Sequence, residues 1–125
     1  MLVATAENAA ELFRPLFDSA QGERLAIAFL TREQELIEVR EMSEGAGADE
    51  VALPVRRILE EALRLGAAGL LVAHNHPSGD ASPSRADLEA TRDLADVASR
   101  LGVRVHDHLI FGGGEVVSLR GLGLL

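Results

Sequence analysis

The sequence contains no cysteine. Disulfides and thiolate metal ligands are both excluded, and redox usage gives no clue to the compartment. Tyrosine and tryptophan are also absent and phenylalanine occurs only four times, so stacking platforms for single-stranded nucleic acid are scarce. Positive charge is in short supply. The net charge is −8, and no Lys/Arg-rich block offers the basic face with which duplex binders neutralise phosphates. Arg56 and Arg57 are adjacent, but Glu60 and Glu61 follow within a turn. Long apolar runs are missing too. The longest, Gly66–Ala73, falls far short of the ~20 residues a membrane span needs. The opening MLVATAENAAELF lacks the basic start and apolar core of a signal peptide. The expectation is a cytoplasmic protein with neither nucleic acid nor membrane as partner.

What remains is an ordinary globular composition, 47% hydrophobic and 26% charged over 125 residues. That length suits a single domain over residues 1–125 and buries roughly two-thirds of the unfolded surface. No repeat or low-complexity tract interrupts it. Periodicity predicts a helix from Ala6 to Ser19 with Ala9, Leu12, Phe13 and Leu16 on one face, in which Pro15 is a potential break. LAIAFL and ELIEVREM read as strands joined by TREQ, followed by a loop, SEGAGADE. A helix is expected over Pro54–Leu65, stopped by Gly66. AAGLLVAHN is apolar throughout, as befits a central strand covered on both faces. A second long helix is expected from Pro83 to Leu101, with Leu88, Thr91, Leu94, Ala95, Ala98 and Leu101 inward. VRVHDHLIF and EVVSLR then form a hairpin around Gly112–Gly114. The order αββαβαββ implies an α/β sandwich with a mixed sheet.

Chemistry concentrates at the end of the apolar strand. His74 and His76 stand at i and i+2, so in extended backbone both imidazoles lie on one face while Asn75 points away. Two such nitrogens can meet one ion at ~2.0–2.1 Å. Downstream, Ser84 and Asp87 are three apart at the start of a helix and share a face. With Ser82 as the N-cap before Pro83, Asp87 is expected to be free to turn inward. Blander readings exist for each part. A lone H-x-H at a strand end is more often a hydrogen-bonded turn, Ser84-x-x-Asp87 reads equally as a capping box, and Asp80 beside Gly79 reads as a turn residue.

The conjunction is more specific than its parts. His74-x-His76, seven residues, then Ser84-x-x-Asp87 resembles the JAMM (JAB/MPN+) metalloprotease signature, H-x-H-x7-S-x2-D. The HNHPSGD and PSRADLEAT wording is similar to the RadC-like branch of that superfamily, as are Asp107–Gly112 and the terminal SLRGLGLL. The resemblance spans residues 6 to 125. It implies a three-layer α/β/α sandwich with a mixed sheet, of the JAMM/cytidine-deaminase-like type. It also implies Zn²⁺ held by His74, His76 and Asp87, with hydrolysis of a peptide or isopeptide bond in a peptide or protein substrate. In that scheme Ser84 is the oxyanion donor. The resemblance alone singles out Glu23, the carboxylate that opens ERLAIAFLT, as the general base.

Several features depart from the family pattern. Thr31 stands where an aspartate usually ends the first strand, and Arg57 replaces a glutamate that follows an arginine in the second helix. Full-length RadC-like proteins also carry an N-terminal segment similar to helix-hairpin-helix modules; no counterpart is expected here, so a relative's nucleic-acid role is not carried over. His106 and His108 form a second H-x-H without a downstream acid at helical spacing, which points to a structural or groove-lining role. Asp107-His108 matches the family and His106 does not. The tripeptide HNH itself has nothing to do with HNH nucleases, whose name refers to residues separated along a ββα unit. Two alternatives stand beside the hydrolase: a non-catalytic metal-binding scaffold and a DNA-repair-associated RadC-like protein.

Overall fold

In the computed structural model, which describes residues 1–18, 22–43 and 53–125, the elements follow the predicted order. They are α1 (Ala6–Phe17), β1 (Leu25–Leu30), β2 (Leu36–Glu41), α2 (Val55–Leu65), β3 (Gly69–Asn75), α3 (Arg85–Arg100), β4 (Arg104–Gly112) and β5 (Glu115–Ser118). The strands form one sheet in the order β2-β1-β3-β4-β5. Only β3 and β4 run parallel, because α3 connects them as a crossover helix.

The unbroken apolarity of β1 and β3 has its cause in the layers. Leu25, Ile27, Phe29, Leu70 and Val72 pack against Ile58, Leu59 and Ala62 of α2 and Leu94 and Ala98 of α3. The alternate residues Ala26, Ala28, Leu30, Leu71 and Ala73 meet Ala9, Ala10, Phe13 and Phe17 of α1. Both faces of the central strands are dry, so neither face tolerates a polar side chain without a partner. The result is an α/β/α sandwich with a mixed sheet. No helix among the described residues is long and apolar enough to cross a membrane.

The differences from expectation lie at element ends. α1 continues through Pro15 and stops at Phe17; the expected last residue, Ser19, and the loop predicted over 43–50 beyond Ser43 lie outside the described residues. Pro54 caps α2 rather than opening it, and Gly66, at φ 66°, closes it in the left-handed conformation that glycine adopts without strain. α3 starts at Arg85, with Ser84 and not Ser82 as its N-cap. It ends one residue early, which leaves Leu101 as the C-cap, 46% exposed rather than inward.

Strand β4 carries one irregularity. Leu70 pairs with Val105 but Leu71 pairs with Asp107, so His106 is an extra residue in the ladder. Such a bulge reverses the side-chain alternation beyond it. Val105 faces the α2/α3 layer, and because of the bulge so does His108. At the far end of β4 the glycine turn is pressed against the loop that follows β3. A Cβ on Gly112 would stand 2.9 Å from the Ala81 nitrogen, and one on Gly113 would lie against the carbonyl oxygen of Gly79.

The packing of α3 on the sheet carries much of the fold. Leu94 is fully buried at its centre. Leu94→Ala is expected to cost about 2–5 kcal/mol, read as a lower urea midpoint with an unchanged slope.

Candidate metal centre

His74 and His76 occupy the carboxyl end of β3, the place where open α/β sheets present ligand sites. His74 is 0% and His76 4% exposed, and both rings project toward α3. There they meet Asp87, also 0% exposed, in the first turn of that helix. Asp87 Oδ2 lies 3.0 Å from His76 Nε2, and Oδ1 lies 3.5 Å from His74 Nε2.

Burying a carboxylate this completely costs several kcal/mol without compensation. The compensation is local. Ser84 N–H donates to Asp87 Oδ2 at 3.0 Å, while Asp87 N–H donates to Ser84 Oγ at 2.9 Å, a reciprocal capping box. The positive end of the helix macrodipole favours an anion at this position. Asp87 is therefore not released from capping, as the Ser82 reading supposed. It caps α3 and faces the histidines with the same carboxylate.

The donor set suits a cation. One ligand atom from each of His74, His76 and Asp87 lies within 4.8 Å of the others. In a tetrahedral zinc shell with bonds of ~2.0–2.1 Å, neighbouring ligand atoms sit about 3.4 Å apart, close to the 3.0 and 3.5 Å seen here. The proton positions agree for His76. Its Nδ1 is 2.7 Å from the carbonyl oxygen of Asp80, which can only accept, so Nδ1 carries a hydrogen and Nε2, 3.0 Å from Asp87 Oδ2, is the nitrogen that a metal would take. The three residues can hold a metal ion.

The surroundings fix these side chains. The loop after β3 is anchored by Ala81, buried against Ile110 and Leu119, and by Asp80 Oδ1, which accepts from Ser82 N–H at 2.9 Å. Hydrogen bonds from the Ser82 backbone, then its side chain, hold the Asp80 carboxyl below the usual carboxylate range. On the other flank, His108 Nε2 is 2.7 Å from His74 Nδ1, and His108 Nδ1 is 2.6 Å from Thr91 Oγ1. Complete burial, with the nearby His74 and His76 rings, pushes His108 well below the histidine range. It is a neutral residue against the ligand shell.

Other predicted residues fall at different distances from the centre. Glu23, half-buried, precedes β1, and because Leu25 pairs with His74 it lies near the end of β3 that carries the histidines. Ser84 borders Asp87, and its hydroxyl accepts in the capping box, so the hydroxyl hydrogen is not spent in that bond. Arg57 is exposed on α2. His106 lies at the opposite end of the strand pair, against Gly69, where burial, then Arg104 and Arg120, lower its pKa. The role of one residue emerges only from the structure. Asn75 turns to the other face, accepts from Arg24 N–H at 2.6 Å and donates to the Gly22 carbonyl at 2.9 Å. It thereby clamps the backbone on both sides of Glu23.

Comparison with known proteins agrees with this arrangement. The family model for the RadC-like JAB domain matches residues 3–124. A UPF0758 protein of Rhodobacter capsulatus is 41% identical over 103 residues, covering 82% of this chain and 48% of the relative. A UPF0758 protein of Vibrio cholerae serotype O1 is 39% identical over 113 residues, covering 90% of this chain and 71% of the relative. This chain thus spans about half the length of the first relative and under three-quarters of the second. Fold, the His-His-Asp cluster and matched length lead to one assignment: the chain belongs to the RadC-like JAB domain family.

Proposed function

We propose that this chain is a zinc-dependent, metallopeptidase-like hydrolase acting on a peptide or isopeptide bond. The observation that carries the reading is the convergence of two buried imidazoles and one buried carboxylate within 4.8 Å at a strand end. Two nitrogens, one oxygen and no thiolate suit zinc with one position left for water. Zinc held there would lower the pKa of a bound water to ~7, making hydroxide available at neutral pH.

The chain's own residues would do the rest. Glu23, whose flanking backbone is held by Asn75 near the end of β3, accepts the proton of the attacking water and returns it to the leaving amine. Ser84 donates its hydroxyl hydrogen to the carbonyl oxygen as negative charge develops on it. A groove of about 410 Å³ adjoins His76 and is bordered by Phe17, Pro77 and Phe111, offering apolar contacts to the flanking part of a peptide or protein substrate. The net charge of −8 weighs against a DNA-binding role.

The test begins with metal analysis of the purified protein and a peptidase assay on mixed cellular peptides, with and without chelator. One zinc per chain and chelator-sensitive cleavage are expected; cleavage indifferent to chelator would sink the proposal. His76→Ala and Asp87→Asn are expected to lose the zinc. Glu23→Gln should keep the zinc and lose hydrolysis by about 10²–10⁴-fold, and full activity would remove Glu23 from the mechanism. Ser84→Ala should lower kcat about 10²–10³-fold. Because it also removes a helix cap worth about 1 kcal/mol, its kcat is read well below its melting temperature.

A further inference from the structure

Beyond the three ligands, the geometry points to a hydrogen-bonded relay, Thr91 to His108 to His74, that fixes the tautomer of His74 and leaves its Nε2 as the nitrogen offered to a metal. We infer that Thr91 and His108 are positioning residues for the metal centre. This rests on His74 being a metal ligand, but not on hydrolysis.

Each link follows from which atom has a hydrogen to give. Thr91 Oγ1 lies 2.7 Å from the carbonyl oxygen of Asp87. A carbonyl only accepts, so the single hydroxyl hydrogen of Thr91 is committed there. The contact of 2.6 Å between Thr91 Oγ1 and His108 Nδ1 then requires His108 Nδ1–H to donate. A neutral imidazole has one N–H, so His108 Nε2 is an acceptor. It faces His74 Nδ1 at 2.7 Å, and His74 must donate from Nδ1. The remaining nitrogen of His74, Nε2, is the atom 3.5 Å from Asp87 Oδ1. Thus a backbone carbonyl in the first turn of α3 settles, through two side chains, which nitrogen of His74 is turned to the metal.

All the relay side chains are sealed from water. Thr91, His108 and His74 are each 0% exposed, so no solvent molecule can replace a missing partner at the surface. His76 is oriented separately, by the Asp80 carbonyl. The two imidazoles are therefore set by independent devices, one on the loop after β3 and one spanning α3 and β4.

The test reads the imidazoles directly. Long-range ¹H–¹⁵N correlation spectra of the full chain, with and without zinc, are expected to show His108 protonated at Nδ1 and bare at Nε2, with His74 protonated at Nδ1. His108 found protonated at Nε2 would overturn the relay. Thr91→Val removes the hydroxyl at nearly constant volume. It is expected to shift His108 toward the Nε2–H form and to weaken zinc binding about 10- to 100-fold, the usual effect of losing an outer partner of a metal ligand. Thr91→Ser should restore both readouts, which repair of packing alone would not do. Zinc binding by Thr91→Val as tight as wild type would overturn the positioning role. If Thr91→Val does not fold, the wild-type spectrum and Thr91→Ser still decide. Failure of the wild type to cleave any peptide would sink the hydrolase reading alone, leaving the spectra to judge the relay.

Discussion

Three electron-rich atoms aimed at one another in a place without water set the terms for the rest of this structure. Two imidazole lone pairs and a carboxylate repel when nothing positive lies among them, and low dielectric strengthens that repulsion. A fold holds such an arrangement only if the surrounding hydrogen bonds over-determine it or a cation relieves it. Both conditions are addressed here. Every ring nitrogen not facing the cluster is tied to a partner, His76 Nδ1 to the Asp80 carbonyl and His74 Nδ1 to His108. The carboxylate is tied to the Ser84 amide. The donors that face one another, two ring nitrogens and a carboxylate, could hold one metal ion.

The same residues therefore serve folding and chemistry. Asp87 closes the capping box that starts α3 and supplies the only carboxylate in the cluster. Thr91, one turn on, is at once a buried position of that helix and the acceptor for His108. The loop carrying Asp80 lies close to the β4–β5 turn, and that closeness depends on the missing side chains of Gly112 and Gly113. A larger residue at either glycine would push the loop and swing His76 with it. Packing defects near the end of β3 are thus also defects of the site.

How much of this was legible in the sequence follows from the range of each interaction. The order of elements was readable because both faces of β1 and β3 are buried, which leaves apolar runs that polar loops punctuate. His74 and His76 were readable as a pair because a strand has a period of two, and Asp87 because Ser82 and Pro83 announced a helix start just ahead of it. The cap itself was misread: Ser82 and Ser84 are both competent, and the helix uses Ser84, whose hydroxyl accepts from Asp87 N–H. Local pattern named His108 but could not separate it from His106. Strict alternation groups it with His106, and the bulge at His106 that separates them is a property of pairing with β3, not of β4 alone. Asn75 was placed on the correct, outward face, but its partners, Gly22 and Arg24, are more than fifty residues away. Glu23 carries no local signal at all, being one of many carboxylates near a strand end.

The mixed direction of the sheet explains why these distant pieces can meet. β1 runs antiparallel to β3, so the beginning of β1, with Glu23 just ahead of it, lies at the end of β3. β4 runs parallel to β3, which obliges the chain to return through α3 and so brings that helix's N-terminus, with its partial positive charge, back to the same end. If β1 were parallel, Glu23 would sit at the far edge, more than a strand length from His76. If β4 were antiparallel, a short hairpin would suffice and Asp87 would have no helix to favour its charge. One strand of each direction beside β3 is the least topology that delivers two imidazoles and a capped carboxylate to one point and starts β1, just after Glu23, at the same end of the sheet. The antiparallel pairing of β1 and the parallel pairing of β4 are thus requirements of the site as much as of the fold.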